Sequence, residues 1–167
     1  VNQIDEVHRL RASFPEGSFV LGVFVRLIKL DQTYLDFLTR LLLADSRFHL
    51  VVAGPGDPSQ VQTFAQQPQI ASRVTLQPGM VDLNLYGQVI DVMCDTFPCI
   101  GGNACREVSV YGTPIIAKLG TPWDGLLKSD RNPDLLAETE DEYIALAKRL
   151  ADDSEFMAKQ RSLSLEK

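Results

Sequence analysis

Short, apolar, β-branched runs alternate with longer amphipathic stretches along almost the whole chain. That alternation leaves few architectures open. Parallel strands must be joined by crossovers long enough to hold a helix, so the pattern predicts an α/β domain with a mostly parallel sheet. Phe19-Val20-Leu21-Gly22-Val23-Phe24 reads as a first, buried strand. Asp31 follows as an N-cap, and Tyr34, Leu35, Leu38, Leu41 and Leu42 fall on one face of the helix it opens.

Further strands are expected over residues 48–53, 73–77, 90–94 and 113–117. The second runs into Gly54-Pro55-Gly56, after which Asp57 and Pro58 make an N-cap and N1 pair for a helix carrying Val61, Phe64 and Ala65. Pro78-Gly79 marks a turn, and a brief helix is expected near 82–89. After the fourth strand a glycine-containing loop leads to a helix over about 102–111, ended by Gly112. The remainder reads as helical. Thr139 with Glu142 forms a capping box, Tyr143, Leu146, Ala147 and Leu150 form the buried stripe, and a last helix covers 153–161. Residues 2–13 carry only weak helical periodicity through Ile4, Val7 and Leu10. Residues 1–17 are therefore expected to be a linker or edge helix, and 18–167 a single domain, which suits a chain of 167 residues.

A net charge of -6 argues against a nucleic-acid partner, because neutralising phosphates along a duplex needs a basic face. A nucleotide ligand stays open, since a few backbone amides and one or two cations can hold a diphosphate. No apolar run is long enough to span a bilayer, and the N-terminus lacks the plan of a signal peptide. Cys94, Cys99 and Cys105 fit no zinc or redox spacing and are expected to be reduced thiols in a cytoplasmic protein. The start at Val1 rather than Met suggests a piece of something longer.

In an open parallel sheet, ligands bind beyond the carboxyl ends of the strands, near the point where the strand order reverses. Arg26 and Lys29, spaced by three after the first strand, could grip a diphosphate, or could be two solvated surface charges. The fourth strand opens into Asp95-Thr96-Phe97-Pro98-Cys99-Ile100-Gly101-Gly102-Asn103. Two glycines before a helix leave backbone N–H groups free for a phosphate at the positive end of the helix dipole, or make an ordinary tight turn. Glu107, one turn on from Asn103, could accept both ribose hydroxyls, or be a solvated side chain. Gly54-Pro55-Gly56 reads more simply as a connecting turn. His8 and His49 are poor catalytic candidates by position, and no dinucleotide fingerprint, Walker loop, catalytic triad or metal-ligand cluster is present. The evident chemistry is binding.

With those residues assembled, Ile90-Asp91-Val92-Met93-Cys94-Asp95-Thr96-Phe97-Pro98, Gly101-Gly102-Asn103, Glu107 and Tyr111-Gly112-Thr113-Pro114-Ile115-Ile116 together resemble the donor-binding signature of GT-B glycosyltransferases. The likeness is strongest to the O-linked N-acetylglucosamine transferase family and its bacterial relatives. Phe24-Val25-Arg26-Leu27-Ile28-Lys29 resembles that family's segment with the pyrophosphate-contacting lysine, and residues 136–150 resemble its closing helix. The resemblance runs over about 11–161, with the stretch from Asp95 to Pro114 its specific part.

The resemblance, together with the pattern, implies an α/β fold with a Rossmann-like, doubly wound parallel sheet flanked by helices, in the order 3-2-1-4-5-6, as the C-terminal half of a GT-B fold. It implies that Lys29 neutralises the diphosphate and eases departure of the leaving group, with Arg26 in a neighbouring polar position. Gly101, Gly102, Asn103 and Ala104 would offer backbone amides to the phosphates, Glu107 would hold the ribose, and residues 77–83, from Gln77 to Leu83, would lie against uracil. Relatives often carry Thr or Ser and a His where this chain reads Gly102-Asn103-Ala104-Cys105, and a base-stacking His where it has Leu83. Those departures leave the base and the sugar open.

The expected activity is transfer of a hexose or N-acetylhexosamine from a UDP-sugar to a polypeptide or glycan acceptor, without a metal or other cofactor. The partner would be an N-terminal GT-B domain of the same parent chain, so this part alone should bind nucleotide weakly and transfer little. Two alternatives share the architecture: a sugar-nucleotide epimerase fragment, and a degenerate, non-enzymatic interaction module.

Overall fold

The computed structural model describes residues 3–98 and 103–166. Six strands, β1 (Phe19–Phe24), β2 (Phe48–Gly54), β3 (Val74–Pro78), β4 (Val92–Cys94), β5 (Ile115–Lys118) and β6 (Leu136–Ala137), form one sheet in the order β3-β2-β1-β4-β5-β6. All neighbouring pairs are parallel, with Phe19 opposite Phe48 and Leu21 opposite Val92. This is the doubly wound order expected from the resemblance.

The eight helices among the described residues are α1 (Gln3–Ala12), α2 (Gln32–Ala44), α3 (Ser59–Ala65), α4 (Leu83–Val89), α5 (Asn103–Ser109), α6 (Asp124–Asp130), α7 (Glu140–Asp152) and α8 (Ser154–Glu166). Side chains alternate across a strand, so each buried strand feeds two cores. Leu21, Val23, Leu50, Val52, Val92 and Ile116 point to the face covered by α2, α3 and α7. Val20, Phe24, Val51, Ala53 and Met93 point to the other, covered by α1, α4 and α5. Every residue of β2 is buried, as a central parallel strand requires.

Local signals act where the sequence puts them. The Asp31 carboxylate accepts from the Tyr34 amide at 2.8 Å, and Thr139 accepts from the Glu142 amide at 3.1 Å. Glu142 reaches back to the amide of Glu138, one residue before the cap, at 2.7 Å. Gly112, expected to end α5, lies three residues beyond its last helical residue and closes the following turn with φ +80°, its N–H on the Ser109 carbonyl. Asp57 does not cap directly: Pro58 holds the N-cap position of α3, and Asp57 binds Ser59 from one residue further out. Within the expected 102–111, α5 covers Asn103–Ser109 and so stops two residues early, while α8 runs on to Glu166.

Two elements differ from the sequence reading. Residues 136–137 are a strand rather than part of a helical tail, and α6 is a separate helix. A two-residue edge strand has too little pattern to read, and only its ladder with Ala117 and Lys118 defines it. The segment read as linker or edge helix carries α1, pinned by Arg11. That guanidinium donates to the carbonyls of Val89 and Ser18 and pairs with Asp91 at 3.0 Å.

Candidate functional site

The strand order reverses between β1 and β4, and this is where a parallel sheet of this kind opens a crevice. Two of the loops singled out from sequence leave the sheet there. After β1, a single 3-10 turn spans Leu27–Lys29. Leu27 and Leu30 are buried in the larger core and act as two pegs. Between them Ile28 is turned out, 87% exposed, and Lys29 is half-buried. The turn closes with the Lys29 amide on the Arg26 carbonyl at 2.9 Å, leaving the Arg26 side chain exposed. Arg26 and Lys29 thus share one hydrogen-bonded turn at the carboxyl edge of the sheet.

Gly54-Pro55-Gly56, read as a simple turn, also buttresses this one. The Leu27 amide donates to the Pro55 carbonyl at 2.9 Å, and the Gly79 amide to the Gly54 carbonyl at 2.8 Å. The carboxyl ends of β1, β2 and β3 are tied into one continuous edge. Gln77 lies exposed at the end of β3, whereas Leu83, first residue of α4, leans into the smaller core beside Val81 and Tyr86. Between them Met80 is 88% exposed. Ile28 and Met80 lie within the segments 24–29 and 77–83 but do not stand out there, since an exposed apolar residue has no periodic signature.

On the other side of the crevice β4 ends in a buried polar knot. Asp95 is fully buried, and its carboxylate pairs with Arg131 at 2.9 Å and accepts from the Thr96 amide at 2.9 Å. Its carbonyl accepts from the phenols of Tyr34 at 3.2 Å and Tyr143 at 2.9 Å. Burial pushes both phenols well above their ordinary range, so they act as neutral donors. Phe97, which precedes a cis peptide bond to Pro98, packs edge-on against Tyr34 and Phe37, and the Lys118 ammonium sits 5.1 Å from its ring centre. Of this group, sequence reading took in Asp95 only as part of a motif. A charged residue directly after a fully buried strand was the signal available.

Gly101 and Gly102, expected to offer amides to phosphate, lie outside the described residues, as does Cys99. Asn103 opens α5, Ala104 is half-buried in the first turn, and Glu107 is exposed. Burial pushes the Cys94 and Cys105 thiols up to about 12, which keeps both protonated and unreactive. His8 and His49 stand apart from this edge: His49 is buried within β2 and shares a hydrogen bond with Thr75. Among the described residues no group of three His, Cys, Asp or Glu side chains could hold a metal, and no helix is long and apolar enough to cross a membrane.

A six-stranded parallel sheet in this order, open at its switch point, is the architecture of the C-terminal half of a GT-B glycosyltransferase. Among solved structures, an O-GlcNAc transferase mutant from Thermobaculum terrenum matches with a TM-score of 0.78 and 27% identity, over 90% of this chain and 32% of that one. Anabaena HepE in complex with UDP-glucose matches with a TM-score of 0.77 and 16% identity, over 97% of this chain and 47% of that one. The pneumococcal O-GlcNAc transferase GtfA, in complex with UDP and GlcNAc, matches at 0.69 and 17% identity, over 89% and 31%. This chain therefore spans a third to a half of the proteins it matches. Neither protein-family models nor curated proteins give a match.

Proposed function

We propose that this chain is the donor-binding part of a glycosyltransferase, holding a UDP-sugar in the crevice between the β1 and β4 loops. The observation that carries the reading is the 3-10 turn after β1 that keeps Arg26 and Lys29 together beside the switch point between β1 and β4. It stands on a fold whose solved neighbours include complexes with UDP and UDP-glucose.

In this reading Lys29 faces the diphosphate and stabilises the charge that builds on it as the glycosidic bond breaks. Arg26 adds a second cation at the rim. Backbone amides of Gly101, Gly102, Asn103 and Ala104 hold the phosphates, and Glu107 binds the ribose hydroxyls. Gln77 lies beside the base. Leu83 serves as an apolar wall through its neighbours rather than as a free stacking face, because its side chain is half committed to the core. The protein's work is positioning and charge stabilisation, with no residue-derived covalent step.

The sugar is a hexose or N-acetylhexosamine, the acceptor a polypeptide or glycan, and the second wall of the cleft an N-terminal domain of the same parent, in the cytoplasm. Calorimetric titration with UDP, alongside Lys29→Ala and Glu107→Ala variants, tests the site. The expected outcome is weak binding by the unsubstituted 167-residue chain, hereafter the parent of these variants, lost or strongly reduced in both of them. A folded parent that takes up no UDP would overturn the reading and leave a non-enzymatic interaction module in its place. Measurable sugar transfer by this chain alone would contradict the two-domain requirement.

A further inference from the structure

Asp95 is the one fully buried carboxylate among the described residues, and nothing in the proposed chemistry calls on it. It is one residue past β4, where the chain leaves the sheet for the crevice. Arg131, the C-cap residue of α6, reaches it with a side chain only 14% exposed. Tyr34 from the first turn of α2 and Tyr143 from the first turn of α7 both donate to the Asp95 carbonyl. Cys105, in the first turn of α5, is buried against both members of the pair. Four helices therefore converge on one residue at the root of the β4 loop.

Burying two charges is costly, and a well-packed apolar pair would often serve stability as well. An ion pair adds direction: it permits few relative positions of the groups that carry it. Here those groups are the start of the β4 loop and the end of α6, with the first turn of α5 wedged against them.

We infer that Asp95 and Arg131 are the positioning pair of the donor site, fixing the exit of the β4 loop and the seat of α5 so that Ala104 and Glu107 face the nucleotide. Neither side chain touches the ligand. The inference rests on the donor-site reading above, and its test separates the two.

The experiment compares the parent chain with Arg131→Met, the double variant Asp95→Asn/Arg131→Met, and Arg131→Lys. Each is assayed for thermal unfolding, UDP affinity by calorimetry, and hydrogen exchange at the amides of residues 104–109. Arg131→Met strands a buried carboxylate and is expected to lose stability throughout. The double variant removes both charges, and is expected to unfold close to the parent while binding UDP at least about tenfold more weakly. Its α5 amides are expected to exchange faster than the parent's. Arg131→Lys keeps the charge but not the fork, and is expected to lie between parent and double variant in both readouts. If the double variant does not fold, Arg131→Lys decides the matter, and coincidence with the parent in both readouts overturns the inference. A folded double variant with unchanged UDP affinity and unchanged α5 exchange overturns it too. If the parent binds no UDP, the donor-site reading fails by itself, and α5 exchange alone decides whether the pair positions that helix.

Discussion

A methyl group on Gly54 would lie 1.6 Å from the carbonyl oxygen of Val25, so the end of β2 can pass the end of β1 only because residue 54 has no side chain. The obstacle is backbone, which cannot swing aside as a side chain would. Gly54→Ala should therefore destabilise the chain by about 3 kcal/mol, the upper part of the range for overpacking a tight site. Gly79→Ala is the control: its added methyl meets nothing within 4 Å, but its φ of +99° is costly for alanine, about 1 kcal/mol. Denaturant titration of both variants checks the ordering, and an unchanged midpoint for Gly54→Ala would show that the two strand ends can part.

Within the Leu27–Lys29 turn the two cations are not equivalent. Lys29 is half-buried between the pegs Leu27 and Leu30, and Arg26 lies in open solvent. A charge-assisted contact made from a fixed, partly desolvated position is worth about 1.5–3 kcal/mol. Lys29→Met should accordingly weaken UDP binding by about tenfold or more, and Arg26→Met by clearly less. Equal losses in calorimetry would place the diphosphate at the rim.

His49 gives the chain a pH signature away from the site. Burial holds its pKa below the ordinary 6.5, with the nearby Arg73 charge adding to the effect. The folded pKa is then the lower one, so the unfolded chain takes up a proton first as pH falls. Its contribution to stability is intact above the unfolded value and is lost as pH drops through about 6.5 toward the folded value. Urea midpoints of the parent should decline over that window, and His49→Gln should flatten the decline. A parallel decline in both proteins would assign it to other groups.

Cys94 and Cys105 should escape alkylation in the folded chain at pH 8. Both are buried, and with pKa values of about 12 the reactive thiolate is scarce. Peptide mass spectrometry after a brief exposure to iodoacetamide reads this directly. Denaturant should expose both, and prompt native labelling of either would mean that the β4 region opens.

The helix caps offer a cheaper check. Asp31→Ala and Thr139→Ala each remove one acceptor for an otherwise unpaired amide of the first helical turn. Each should cost about 1 kcal/mol in thermal or chemical unfolding. Asp31→Ala should also loosen the Lys29 turn, which it follows directly, and so weaken UDP binding slightly, whereas Thr139→Ala should leave affinity alone.

Much of this protein was legible before any coordinates. Buried strands announce themselves by uninterrupted apolar runs, so β1 and β2 were plain; Asp31 and Thr139 set helix starts because their chemistry acts over three or four neighbouring residues. Spacing, with the rule that ligands gather beyond parallel strands, singles out Arg26 and Lys29 as candidate contacts. All of these are local properties, carried by residues close together along the chain.

What the tertiary structure decided depends on residues far apart. β6 exists only through its ladder with β5, and Leu83 is drawn into a core built by α1, α4 and α5. The Asp95–Arg131 pair joins positions on either side of a strand and two helices. No pattern in sequence pairs them, because the energy that matters arises only when folding removes both charges from water together.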